Sequence, residues 1–265
     1  LKIVINIVYG LTSAKFDNPF RDIRNIDNIV AKRGALFMID LKQELQKRGV
    51  QVVHIKTDSI KIPNATPEII KFVSEFGEKY GYDFEHEETY DRFCLVNDAV
   101  YVAGVDTVPF EQPYPGVKWS ATGAQFQHPY VFKTLFSGEP LEFKDYCEGR
   151  SVVKGTMYLD MHAQENPEEA PDPANMRHVG KTGLYVPVLE GGGKLYRHHE
   201  DKFYAVSGTK GHLWLEASVA ETNPNLKIDF SYFEKLVADA IATIEKFGPF
   251  EKLVPPVKQG LKEAA

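Results

Sequence analysis

Asp58 lies in the stretch His54-Ile55-Lys56-Thr57-Asp58-Ser59, flanked by the apolar-rich runs 50–53 and 60–63. Two such strands joined by a short polar turn hold a carboxylate at a hairpin tip, where a strand scaffold can aim it at a metal ion. Thr, Asp and Ser are also ordinary turn formers, so the tripeptide alone is better read as a turn without chemistry. A second set lies upstream, where Lys2, Asn6 and Tyr9 precede Gly10 in the pattern K-x-x-x-N-x-x-Y-G. On a helix, offsets of four and seven residues bring an ammonium, an amide and a phenol to one face. Those groups suit a triphosphate, a sugar and a base plane. Without the hairpin, the plainer reading of this set is the wet side of an amphipathic helix.

The elements that must position these groups are legible as patterns. Residues 2–13 read as a helix, broken by Asn18-Pro19 and the polar residues up to Asp27. A second helix is expected over 29–48, where Phe37, Leu41 and Leu45 recur at four-residue spacing and Gly49 supplies the stop. After the hairpin, Thr66 is an N-cap with Pro67 at the first helical position; Ile69, Phe72, Val73 and Phe76 form the apolar face, and Gly81 ends the helix. Two short strands follow, near 93–96 and 100–103. The Pro/Gly-dense stretch 109–116 marks a domain boundary. Beyond it, 129–136 and 143–148 read as short helices and 152–161 as a strand. Segments 184–188, 194–198, 203–206 and 213–219 read as an antiparallel group. A last helix carries Phe233, Val237, Ile241 and Ile244 on one side, with Ser231 and Glu234 in a capping-box pattern and Gly248-Pro249 as its end. No internal repeat is visible.

Composition sets the frame. With 265 residues and 43% hydrophobic content the chain can bury a substantial core, as one large domain or two small ones. Cys94 and Cys147 are its two cysteines, too few for a disulfide scaffold and without metal-ligand spacing, which fits a reducing compartment. No apolar run is long enough to cross a bilayer, so no membrane partner is expected. Leu1–Val8 opens as an apolar segment without a lead-in, as in a piece of a longer polypeptide. The net charge of −6 does not favour a nucleic-acid binder, but residues 1–56 hold ten Lys/Arg against five Asp/Glu. Residues 66–91 are acidic, with Lys71 and Lys79 against eight acids, and the acidic, proline-rich 165–173 reads as a solvated loop.

The helix pattern at Lys2, Asn6, Tyr9 and Gly10, followed after about fifty residues by the T-D-S hairpin, resembles motifs B and C of family B DNA polymerases, especially the phage-encoded branch. Three further stretches extend the resemblance almost end to end. Asn97 to Ala103 is similar to the strand carrying that family's K-x-Y motif. Trp119 to Phe126 and Ala205 to Gly211 are similar to phage polymerase C-termini. The resemblance implies an α+β fold: a partial palm, with an antiparallel hairpin packed on helices, followed by a mixed thumb-like region. Residues 1–15 would be the end of a fingers helix, 16–105 the palm portion and 106–265 the thumb-like part.

The resemblance also implies roles. Asp58 would be the catalytic carboxylate that binds the two Mg²⁺ ions. Lys2 would meet the phosphates of the incoming deoxynucleoside triphosphate, Asn6 would help hold it, and Tyr9 would pack by the nascent base pair. Tyr101 would touch the primer strand, and Thr209 and Lys210, on a Gly-flanked turn, would contact DNA phosphates. Primer-template DNA, nucleotides and an N-terminal polymerase half would be the partners, in the cytoplasm of a bacterial host for a virus-encoded protein.

The chain departs from the family in three places. Lys56 stands where the family has the first aspartate of D-T-D-S, while the metal-binding second aspartate is kept as Asp58. Ala99 replaces the K-x-Y lysine. Motif A, with its aspartate and the exonuclease domain before it, has no counterpart in this sequence, so the second carboxylate would come from outside the chain, and the chain alone would be inactive. A primer-template DNA-binding module without catalysis is the alternative that Lys56, Ala99 and the net charge suggest. Other candidates read more plainly. His178, His198, His199 and His212 lack metal spacing and read as solvated loop histidines. Phe126, Tyr130, Phe132 and Phe136 could stack on bases but make a good hydrophobic face. Glu85, Glu87 and Glu88 read as charges on an exposed edge strand.

Overall fold

A computed structural model describes residues 2–106, 116–164 and 171–254. They divide into two compact units, Leu1–Thr89 and Tyr90–Ala265. The fold is α+β with antiparallel sheets. Among the described residues no helix is long and apolar enough to cross a membrane.

The first unit is built on two helices whose apolar positions recur every three to four residues. Helices α1 (Lys2–Thr12) and α2 (Ile23–Ile26) lead into α3 (Ile29–Lys47), which buries Phe37, Met38, Leu41 and Leu45. The chain then forms the hairpin β1 (His54–Lys56) and β2 (Ser59–Lys61), followed by α4 (Pro67–Lys79), which buries Val73, Phe76 and Gly77. Thr66 caps α4 by accepting a hydrogen bond from the Ile69 N–H. Both helices stop in the same way. Gly49 and Gly81 adopt φ of 75° and 78°, a region glycine enters without a Cβ penalty. The paired bonds Val50 N–H to Leu45 O and Gly49 N–H to Gln46 O satisfy the last carbonyls of α3. Phe37 and Phe76 meet with ring centroids 5.5 Å apart, and Ile55 and Ile60 of the hairpin pack on this cluster. Each fully buried side chain of this kind contributes about 1.5–3 kcal/mol relative to exposure.

Helix α1 differs from α3 and α4. Ile3, Val4, Ile5, Ile7 and Val8 are all exposed, Ile3 at 74%, and none belongs to the core cluster of this unit. The helix is tied down at its C-terminal end instead. Asn25 Nδ2 donates to Thr12 Oγ1 over 2.8 Å, and the Asp22 N–H donates to the Thr12 carbonyl over 3.0 Å.

Among the described residues the second unit contains three antiparallel sheets. Strands β3 (Arg92–Asn97), β4 (Val100–Asp106) and β5 (Val117–Ala121) form a meander. The short helices α5 (Ala124–Gln127) and α6 (Pro129–Phe132) follow, then a π-helical turn, Lys133–Ser137. Strand β6 (Glu148–Ser151) precedes β7 (Thr156–Asp160), β8 (Met176–Gly180), β9 (Thr182–Val188), β10 (Lys194–His199), β11 (Lys202–Ala205) and β12 (Leu213–Glu216). They are ordered β12-β9-β6 and β11-β10-β7-β8. Helix α7 (Ala217–Ala220) follows directly on β12. Helix α8 (Phe230–Glu245) then lays Ala240 and Ile244 against Val102, Phe126, Val131 and Phe136. A last short helix, α9 (Phe250–Leu253), packs beside them.

Several expectations change here. The 105/106 division lies within β4, which pairs with β5 from Val102↔Ala121 to Asp106↔Val117, and the compact units part at Thr89/Tyr90. Residues 109–115 of the Pro/Gly stretch and 165–170 of the acidic loop lie outside the described residues. The capping-box pattern of Ser231 and Glu234 is displaced, because the cap is Asp229, whose carboxylate accepts from the Ser231 N–H at 3.1 Å. Segment 143–148 divides into a 3₁₀ turn, Phe143–Tyr146, and the start of β6. Residues 83–90 form no strand, so Glu85, Glu87 and Glu88 sit in irregular chain. His178 lies in β8 and His198 and His199 in β10, rather than in loops.

Candidate functional site

The hairpin pairs His54↔Lys61, Ile55↔Ile60 and Lys56↔Ser59, which leaves Thr57 and Asp58 as a two-residue turn. Such turns match strand twist when the first central residue takes a positive φ. Thr57 does so, at 51°. For a β-branched residue this is an outlier that costs of order 1–3 kcal/mol and persists only where the surroundings over-determine it. Here the surroundings are the Ile55 and Ile60 side chains, fixed in the α3/α4 core. The Thr57 hydroxyl lies 2.8 Å from the Lys56 carbonyl and 2.9 Å from Asp58 Oδ1, and Ser59 Oγ donates to the same carbonyl at 3.2 Å. The Asp58 carboxylate is thereby oriented by its own turn and exposed.

Asn6 and Tyr9 both lie exposed on α1, in the same unit as Asp58. The Lys2 backbone opens this helix, and its side chain lies outside the described residues. Among the described residues no hydrogen bond or ion pair joins Asp58 to Asn6 or Tyr9. No group of three or more His, Cys, Asp or Glu among the described residues could hold a metal ion. A Mg²⁺ ion at Asp58 would therefore need ligands from beyond the described residues. A magnesium ion satisfied by one or two carboxylates plus substrate phosphates could accept it, whereas a two-ion site needs a further carboxylate.

The remaining sequence candidates belong to the second unit. Tyr101 lies on β4 with its ring stacked on Phe93, centroids 5.2 Å apart. Thr122 Oγ1 accepts from the Tyr101 N–H and donates to the Ala99 carbonyl, which locks the turn that carries Ala99. Thr209 is buried at 3% exposure, and its hydroxyl donates inward to the Val206 carbonyl over 2.7 Å. Its own carbonyl accepts from Trp214 Nε1, so this residue builds the turn and does not offer its hydroxyl to solvent. Lys210, next to it, is exposed. In the Trp119–Phe126 stretch, Phe126 is fully buried, and a Cβ on Gly123 would come within 2.8 Å of Val100. That stretch serves packing, as do Phe136 and the half-buried Tyr130 and Phe132.

Beneath the 207–211 turn lies a polar cluster that sequence reasoning missed. Glu148 is paired with His128 on one side and with Arg150 on the other, at 2.9 Å to Nη1. Arg150 Nη2 also donates to the Tyr232 hydroxyl over 3.0 Å, and its guanidinium sits 5.3 Å from the Trp214 ring centroid. Burial pushes the Glu148 carboxyl up, but His128 and Arg150 together outweigh it and hold it below the usual range. His212 and Asp229 form a second pair at 2.7 Å against the same Tyr232 ring. The members come from segments up to about a hundred residues apart, so no local motif announces them.

No protein-family model matches the chain, and comparison with curated proteins finds no significant relative.

Proposed function

We propose that the chain is the C-terminal part of a template-directed DNA polymerase of the family B type, extending a primer 3′ end with deoxynucleotides. The observation that carries this reading is the Thr57-Asp58 turn: an exposed carboxylate at a strained two-residue tip, anchored through Ile55 and Ile60 to a helical core. Strain of this kind concentrates at functional sites. The order of the motifs in the sequence adds the reaction class. Asp58 offers one carboxylate to the catalytic cations, Asn6 and Tyr9 line the nucleotide, with Lys2 toward its phosphates, and Tyr101 and Lys210 meet the DNA strands. Divalent cations, when bound, activate the primer hydroxyl and neutralise the leaving pyrophosphate.

The exposed apolar residues of α1 support an upstream half as a partner. A helix with Ile3, Val4, Ile5, Ile7 and Val8 all at more than half exposure is of the kind that another segment covers. The alternative, a primer-template binding module without catalysis, is favoured by Lys56 and Ala99 at positions where the family carries aspartate and lysine. The two readings separate in one experiment: the chain is combined with its upstream half and assayed for magnesium-dependent extension of a primed template. The polymerase reading expects extension that Asp58→Ala abolishes. Absence of extension, or extension indifferent to Asp58→Ala, refutes it.

A further inference from the structure

Thr57 is an unexpected residue for the tip of the β1/β2 hairpin. The turn takes a positive φ at its first central residue, a place for Asn, Asp or Gly, and Thr57 holds 51° there. Among the described residues, non-glycine positive φ occurs at Asn28, Thr57, Asn64, Glu200 and Asp201. Thr57 is the one with a branched Cβ, for which the left-handed region is a genuine outlier. Packing does not account for it, because the residue is exposed. What threonine adds at this position is a hydroxyl. Thr57 Oγ1 lies within hydrogen-bond distance of two acceptors, the Lys56 carbonyl at 2.8 Å and Asp58 Oδ1 at 2.9 Å. A hydroxyl has one proton to give.

Two circumstances direct that proton. Ser59 Oγ already donates to the Lys56 carbonyl, at 3.2 Å. The other acceptor is a carboxylate, and hydrogen bonds to an ionised oxygen are about twice as strong as those between neutral groups. Thr57 therefore donates to Asp58 Oδ1, which leaves Oδ2 as the oxygen open to a further ligand. We propose that Thr57 is a positioning residue for Asp58: its hydroxyl holds Oδ1 and presents Oδ2 to a divalent cation. The inference rests on the reading of Asp58 as a metal ligand, and it accounts for a strained residue at an exposed tip. Groups that hydrogen-bond a ligating carboxylate commonly contribute about 10–100-fold to metal affinity or activity.

The test compares Thr57→Val, which keeps the branched shape and loses the hydroxyl, with Thr57→Ser, which keeps the hydroxyl. Carbon-detected NMR of the full chain, labelled at aspartate Cγ, follows the Asp58 carboxylate, whose resonance is identified by its loss in Asp58→Ala. The resonance is expected to move in Thr57→Val and to return to its original position in Thr57→Ser. An unmoved resonance in Thr57→Val, or an equal displacement in both variants, overturns the proposal whatever the activity of the chain. The second measurement is magnesium-dependent primer extension by the chain combined with the proposed upstream half. Thr57→Val is expected to lose about tenfold or more, and Thr57→Ser to stay within about twofold of the unsubstituted chain. Full extension by Thr57→Val where Asp58→Ala is inactive overturns the positioning role and leaves the metal-ligand reading intact. Extension indifferent to Asp58→Ala removes that reading, and the proposal with it.

Discussion

Arg150→Met removes the cation on which the polar cluster of the second unit depends. Arg150 makes a charge-assisted hydrogen bond to Glu148 at 2.9 Å and a second bond to the Tyr232 hydroxyl at 3.0 Å, and its guanidinium lies against Trp214. The side chains of Arg150 and Glu148 are only 15% and 9% exposed. Methionine restores much of the lost packing, so the cost falls on the carboxylate left behind with His128 alone. Breaking a buried pair in this way costs about 3–5 kcal/mol, and about 4 kcal/mol is expected here because the weaker bond to Tyr232 is lost as well. For a unit of this size that lowers Tm by about 8–16 °C. Both tryptophans, Trp119 and Trp214, belong to this unit, so urea unfolding followed by tryptophan fluorescence reports it directly. The double variant Glu148→Gln/Arg150→Met no longer strands a charge and is expected to recover about half the loss. A loss below about 1 kcal/mol for Arg150→Met, or a double variant no better than the single, refutes the account of the cluster.

Other perturbations have equally definite outcomes. Thr57→Asn, which tolerates the left-handed backbone, should stabilise the first unit by about 1 kcal/mol, seen as slower amide exchange in β1 and β2; faster exchange would show that the 51° φ carries no strain. Gly155→Ala should destabilise the second unit by more than 1 kcal/mol in the same urea titration, because a Cβ would sit 1.9 Å from the His198 carbonyl oxygen on a backbone already at φ 75°. Acid should unfold the second unit. Glu148, Asp145 and Asp229 are each pushed up by burial but held lower overall by their partners, chiefly His128 for Glu148, Lys133 for Asp145, and Ser231 and His212 for Asp229. Carboxyls depressed in the fold stabilise it fully above the ordinary range near about 4 and lose that contribution as pH falls through the lowered values. Fluorescence should therefore show a transition below about pH 4, shallower in Glu148→Gln, and equal slopes would contradict the assignment.

How much of this was legible in the chain follows from where each signal resides. Helices α3 and α4 and the hairpin between them were readable because periodic apolar residues, a Thr-Pro start and two glycine stops lie within a few residues of one another. The same local signals misled at α8, where Ser231 resembles a cap but Asp229 also holds His212, a constraint from elsewhere in the sequence. Strand β8, with Arg177 and His178 at its centre, has too little apolar alternation to read as a strand, and its neighbour β7 determines it. Thr209 shows the limit for sites. A Gly-flanked threonine beside a lysine looks the same whether its hydroxyl faces a phosphate or the Val206 carbonyl, and only the position of Trp214 decides. The Glu148 cluster was invisible for the same reason, since its charges are ordinary until the sheet brings them under one turn.

The central claim is that Asp58 is a metal ligand of a nucleotidyl-transfer site, and exchanging the ligand atom tests it most directly. Asp58→Cys, in the chain combined with the proposed upstream half, is assayed for primer extension in Mg²⁺ and in Mn²⁺, because a thiolate is a poor ligand for the first ion and a better one for the second. The account predicts at least about a hundredfold loss of extension in Mg²⁺ with substantial recovery in Mn²⁺. Extension by Asp58→Cys in Mg²⁺ at the rate of the unsubstituted protein would contradict it.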